Sequence, residues 1–111
     1  MDKYPILGLN LGNAYKFYHP KDILYCESVG NYTTVFFLEG NSTVTARKLK
    51  ELEMMLPENT FVRVHNSFIV NLMYVVKFIN DDSQVLEMVD GSHINVSRRK
   101  KSYFLSKFVK L

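Results

Sequence analysis

Residues 61–74 read Phe61-Val62-Arg63-Val64-His65-Asn66-Ser67-Phe68-Ile69-Val70-Asn71-Leu72-Met73-Tyr74. Val62 and Val64 alternate with Phe61, Arg63 and His65, the period-two pattern of a half-buried strand. A second apolar run, Phe68-Ile69-Val70, follows at once. Between the runs, His65-Asn66-Ser67 supplies three polar groups and neither glycine nor proline, the residues a tight turn usually recruits. An Asn at a strand-to-strand junction carries one amide donor and one carbonyl acceptor, which match the N7 acceptor and N6 donor of adenine in a DNA major groove. The same side chain can equally bond nearby backbone. Chemistry alone leaves both readings of Asn66 open.

Outward from this stretch, strands dominate. On the C-terminal side, Tyr74 to Ile79 and Gln84 to Val89 predict a hairpin across Asn80-Asp81-Asp82-Ser83, and Asp90-Gly91 turns the chain into His93 to Val96. On the N-terminal side, Leu7 to Leu11 and Ala14 to Tyr18 flank the turn signal Gly12-Asn13, and Pro20 breaks the ladder. Ile23 to Val29 and Tyr32 to Leu38 flank Gly30-Asn31, where glycine in first place fits a type II′ hairpin turn. Gly40-Asn41 leads into Ser42 to Ala46. Lys48 to Leu56 reads as the one interior helix, with Leu49, Leu52 and Leu56 on one face and Lys48, Lys50, Glu51 and Glu53 toward water; Pro57 ends it. Residues 1–5 are expected to be a loose arm or linker remnant, and residues 6–111 one domain. The predicted fold is mainly β (α+β), with about ten short strands, one interior helix and one C-terminal helix.

Composition narrows the function classes. With 47% hydrophobic and 14% aromatic residues in 111, the chain can bury one proper core, and its 8 Phe and 7 Tyr without Trp suit strands. No apolar run approaches the roughly 18 residues that cross a bilayer, and the opening Met1-Asp2-Lys3-Tyr4-Pro5 is unlike a secretory signal. Cys26 has no partner for a disulfide and sits in the apolar run Ile23 to Cys26, so it reads as a small hydrophobe, a poor setting for a reactive thiolate. A cytoplasmic protein is expected. His19, His65 and His93 are dispersed, no HExxH or closely spaced Cys/His set exists, and no glycine-rich phosphate loop is present. Glu51 and Glu53 point in different directions on a helix. These features argue against an enzyme and against a metal or other cofactor.

The formal charge of +3 is modest, but its distribution is not: six Lys or Arg and no acid lie between Gly91 and Leu111, and all eleven acids precede them. Ser97 is a good N-cap, followed by Arg98-Arg99-Lys100-Lys101 in the first turn of the last helix. A helix N-terminus prefers acids by roughly 0.3–1 kcal/mol each, so four cations there oppose folding unless an anion offsets them. Such an end suits phosphate, while Phe104 and Phe108, with Leu105, are placed to anchor the helix to the core. Arg99, Lys100, Lys101 and Lys48 suit phosphate contacts, with the hydroxyls of Ser67 and Ser97 as further donors. Asn66 and Arg98 suit base edges, since Arg can be bidentate to guanine O6 and N7.

Three blocks carry a family resemblance: Asp22-Ile23-Leu24-Tyr25-Cys26-Glu27-Ser28 followed by Gly30-Asn31-Tyr32, then Phe61 to Asn71, then Asp90-Gly91-Ser92 through Val96-Ser97-Arg98-Arg99-Lys100-Lys101. In this order they resemble the LytTR family of bacterial DNA-binding domains, over about residues 6–108. The resemblance implies an elongated β fold that reads duplex DNA through loops between strands, inserted into successive major grooves. It implies Asn66 as the reader in the middle loop and Arg98 as the reader after the last strand. The first reading loop corresponds to Gly30-Asn31-Tyr32-Thr33; it lacks the basic or imidazole side chain some members carry, so Asn31 or Tyr32 substitutes or the loop meets only backbone. It further implies a transcriptional regulator on direct-repeat promoter sites, with a second copy alongside, either stand-alone or as the output domain of a two-component response regulator downstream of a receiver domain and a histidine kinase. Two other readings fit the residues: a β module for single-stranded nucleic acid or RNA with Tyr32 and Tyr74 as stacking platforms, and a protein-interaction domain that pairs through exposed strand edges.

Overall fold

The computed structural model describes residues 6–111; the arm expected over residues 1–5 lies outside the described residues. Runs of β-branched and aromatic residues, cut by glycine and polar turns, fold into ten strands: β1 (Leu7–Asn10), β2 (Tyr15–Tyr18), β3 (Ile23–Val29), β4 (Tyr32–Phe37), β5 (Ser42–Thr45), β6 (Phe61–His65), β7 (Phe68–Asn71), β8 (Val75–Ile79), β9 (Val85–Met88) and β10 (His93–Asn95). Helix α1 (Leu49–Met55) interrupts them and α2 (Arg98–Leu105) follows them. The strands make three antiparallel sheets: a hairpin β1-β2, a central sheet in the order β5-β4-β3-β7-β6, and a third in the order β10-β9-β8. The extents of 47 × 35 × 24 Å make the molecule elongated.

Two cores lie on the two faces of the central sheet. On one face Ile23, Cys26, Val35, Phe37, Phe61 and Ile69 meet Leu49 and Leu52 of α1 and Leu56 just past its end, and Leu7 and Tyr18 of the β1-β2 hairpin close over them. On the other face Leu24, Val62, Val64 and Val70 meet Leu86, Met88, Ile94, Val96 and Phe104. Residues 61–64 are thus more than half-buried: Phe61 faces one core while Val62 and Val64 face the other. Adjacent residues on β3 can share a face because Leu24 forms a bulge, with Ile23 opposite Phe37 and Tyr25 opposite Phe36. A second bulge at Val64 shifts β6 against β7, just ahead of the Asn66-Ser67 turn.

Several local expectations need correction. Leu72–Tyr74 is a 3-10 turn, so the strand predicted from Tyr74 starts at Val75; the Asn71 side chain accepts from Met73 N at 3.0 Å and donates to Ile23 O at 2.9 Å, satisfying both of its ends in the interior. Gln84 belongs to the loop and not to the strand, with φ of +51°, and its amide donates to Asp81 O. Lys48 caps α1 from outside with extended backbone. Phe108 lies beyond the end of α2 and is 43% exposed, so Phe104 and Leu105 anchor that helix. At Gly30-Asn31 only Gly30 has positive φ, +61°, which agrees with the type II′ turn.

Candidate nucleic-acid interface

One end of the central sheet gathers the sequence-predicted residues. Strand β3 ends at Val29 and β4 returns from Tyr32, so Asn31 sits at the tip of their turn. Strand β7 runs antiparallel beside β3, with Glu27 opposite Phe68, which puts the Asn66-Ser67 turn at the same end. The two turns are tied directly: Ser28 N donates to Ser67 O at 2.8 Å. On one flank Thr33 Oγ1, fully buried, donates to Arg47 O at 2.7 Å and brings in the connection from β5 to α1, with Arg47 and Lys48. On the other flank Ser97 N donates to Val64 O at 2.8 Å and seats the start of α2 against the end of β6. Lys48, Asn31, Tyr32, Asn66, Ser67, Ser97, Arg98, Arg99, Lys100 and Lys101 therefore share one end of the sheet.

Their surroundings differ. Asn31, Tyr32, Lys48, Asn66, Arg98 and Arg99 are exposed, whereas Ser67, Ser97, Lys100 and Lys101 are half-buried. Ser97 Oγ accepts from Lys100 N at 3.2 Å, so the hydroxyl caps α2 and keeps its own proton to donate. Asn66 and Arg99 meet across 33 residues of sequence: Arg99 Nη2 donates to Asn66 Oδ1 at 3.3 Å. A carbonyl oxygen has two lone pairs, so this bond leaves Asn66 one acceptor position and both amide protons. The neighbouring acids are largely answered. Glu51 pairs with Arg47 at 2.9 Å and Glu53 with Arg63 at 3.2 Å. The Lys48 N–H, and then the Arg47 guanidinium, hold the Glu51 carboxyl below its usual range. This end of the sheet thus presents the first-turn cations of α2 with no acid in that turn.

Three further residues at this end make contacts that the sequence did not assign to them. Arg47 precedes α1 and reaches Glu51. His65 Nδ1 accepts from Ser67 N at 3.1 Å, closing the turn locally. Arg63 Nη2 donates to Asn66 O at 2.7 Å. A polar residue alternating with valines on a strand was the available signal for Arg63, but its partner Glu53 lies on a separate element. Tyr32 and Tyr74, expected as stacking platforms in a module for single-stranded nucleic acid, stand at opposite ends of the sheet: Tyr74 Oη donates to Lys21 O at 2.6 Å, ahead of β3. Cys26 is fully buried and burial pushes its thiol up to about 12, so it packs as a hydrophobe. Among the described residues no helix is long and apolar enough to cross a membrane.

Comparison with known proteins agrees with this architecture. The LytTr DNA-binding domain family matches residues 13–108. The chain is 34% identical over 95 residues to the sensory transduction protein LytT of Bacillus subtilis, covering 83% of this chain and 39% of that protein. It is 35% identical over 82 residues to the CO-responsive transcriptional regulator RcoM of Rhodospirillum rubrum, covering 74% of this chain and 34% of that protein. The chain therefore spans little more than a third of the length of these relatives. A solved LytTr DNA-binding domain from Bacillus cereus superposes with a TM-score of 0.79 at 27% identity, covering 92% of this chain and 94% of that one. Fold, family match and relatives agree, and this chain belongs to the LytTr DNA-binding domain family.

Proposed function

We propose that residues 6–111 form one domain that binds double-stranded DNA in a sequence-specific manner and acts as a transcriptional regulator. The observation that carries this reading is the meeting of Asn66 and Arg99, at 3.3 Å, between a hairpin turn and the cationic start of α2. A turn tip that projects an amide beside a helix N-terminus rich in cations matches what duplex recognition needs, base-edge contacts set within phosphate contacts. In this reading Asn66 reads adenine and Arg98 reads guanine in the major groove, with Asn31 or Tyr32 contributing from the first turn. Arg99, Lys100, Lys101 and Lys48 neutralise phosphates, and the hydroxyls of Ser67 and Ser97 donate to phosphate oxygens. Arg99 can serve both ends of the task, since its other guanidinium protons remain free when one meets Asn66.

The reading extends to the operator. Two copies sit side by side on direct-repeat promoter sites, and the domain is the output of a stand-alone regulator or of a response regulator controlled through a receiver domain and a histidine kinase. The relatives named above, a sensory transduction protein and a CO-responsive transcriptional regulator, support a regulatory setting with a separate input. Selection from random duplex DNA, then fluorescence anisotropy of the winners against scrambled duplex and matching single strand at two salt concentrations, tests it. A spaced repeat bound far better than scrambled duplex is expected. Equal, salt-sensitive binding to every nucleic acid would overturn sequence-specific regulation and leave only a cationic β module.

A further inference from the structure

The Asn66-Ser67 turn is made without glycine, proline or positive φ, so its residue types do not by themselves select one turn geometry. Ser67 is held locally, through its N–H to His65 Nδ1 and its carbonyl from Ser28 N. The backbone of Asn66 is held by one side chain, Arg63. Its Nη2 donates to Asn66 O at 2.7 Å and its Nη1 donates to Glu53 Oε1 on α1 at 3.2 Å. The side chain is 20% exposed, and its Nε is buried without a partner among the described residues. A guanidinium desolvated this far, with one donor unmet, is a poor contributor to stability. What a rigid planar fork supplies is direction: it ties two acceptors on different elements in one geometry. The bulge at Val64, next to Arg63, shifts β6 against β7, and pairing resumes at His65 opposite Phe68; the ladder therefore sets where the turn begins and ends but not where the Asn66 side chain points.

We infer that Arg63 is a positioning residue: by bridging Glu53 of α1 to the Asn66 carbonyl, it holds the turn so that the Asn66 amide meets a base edge. The inference rests on the proposed reading of Asn66 as a base reader. Arg63→Lys keeps the cation and most of the stem but loses the fork. On the selected duplex, the base pair read by Asn66 is the one whose preference vanishes in Asn66→Ala. At that pair Arg63→Lys is expected to cut discrimination about tenfold, the size of one lost base contact. The salt dependence should stay unchanged, because no phosphate contact is removed. In an Asn66→Ala background Arg63→Lys should produce no further loss of discrimination. Glu53→Ala, on the partly exposed surface of α1, removes the other acceptor without touching the core and should lower discrimination at the same base pair. Amide hydrogen exchange on the DNA-free protein gives a readout apart from binding: Ser67 and Ser28 should exchange faster in both variants, with β8 and β9 unaffected.

A wild-type protein without preference at any base pair sensitive to Asn66→Ala would sink the base-reading proposal itself, and that failure shows before any Arg63 variant is made. With that preference present, unchanged discrimination in Arg63→Lys and Glu53→Ala would overturn the positioning role alone. So would a further loss from Arg63→Lys in the Asn66→Ala background, because the effect would then not pass through Asn66.

Discussion

Asn66 and Lys100 stand a few residues from the same surface, yet one is an exposed turn amide and the other a half-buried lysine in a capped helix. The proposal gives such residues different tasks, and substitutions separate them. Arg98→Ala should weaken specific binding by roughly 1–3 kcal/mol and relax preference at one base pair. Lys100→Ala should weaken all duplexes about equally and reduce the slope of log K against log salt by about 1. Anisotropy titrations over a salt series distinguish them, and matching effects on every sequence would remove Arg98 from the readers. Cys26 gives a test independent of DNA. Burial raises its folded thiol from 9.0 to about 12, so at alkaline pH the unfolded state loses that proton first. The stability Cys26 supports is whole below the unfolded value and lost as pH rises toward about 12. Urea midpoints measured between pH 8 and pH 10 should fall more steeply for the wild type than for Cys26→Ala; parallel slopes would contradict it.

At the scale of elements, α2 is the most exacting. Four cations occupy its first turn and no acid offsets them, so its start depends on the Ser97 cap, on the Ser97 N to Val64 O bond and on Phe104. Ser97→Ala should cost about 1 kcal/mol of folding stability, and phosphate or sulfate should recover part of the loss by occupying the same end. Chemical denaturation with and without added anion checks both; an unaltered midpoint in Ser97→Ala would mean the cap contributes nothing. The sequence made α2 legible because Ser97, the basic run and Phe104 all carry local signals. Helix α1 was legible for the same reason, through Leu49, Leu52 and Leu56. Element ends were less so. Tyr74 looked like strand because it is aromatic and precedes valines, but Asn71 bonds Met73 N and bends the chain into a 3-10 turn. Phe108 kept helical spacing from Phe104 although the helix stops before it.

Over the whole molecule, one sheet with a core on each face links the hairpin, both helices and the third sheet. Phe104, fully enclosed in the second core with Phe78 at 5.2 Å, should cost about 3–5 kcal/mol on change to Ala. Phe17, on the outer face of the hairpin at 69% exposure, should stay within about 0.5 kcal/mol. Unfolding followed by far-ultraviolet circular dichroism and by tyrosine fluorescence should coincide for the wild type; separate transitions would mean the two cores fold independently. The sequence by itself determined the strand-rich class, the number and order of strands, the two helices and the residue types suited to a polyanion, because period, turn residues and caps act within a few residues of one another. It left Asn66 open between local bonding and recognition. Tertiary structure decided which loops share an end of the sheet, that Thr33 ties down the β5–α1 connection, that Arg99 meets Asn66, and that Arg63 and Glu53 support the turn. Those pairings depend on strand order and on the bulges at Leu24 and Val64, which arise from packing two faces at once and leave no pattern in the local sequence.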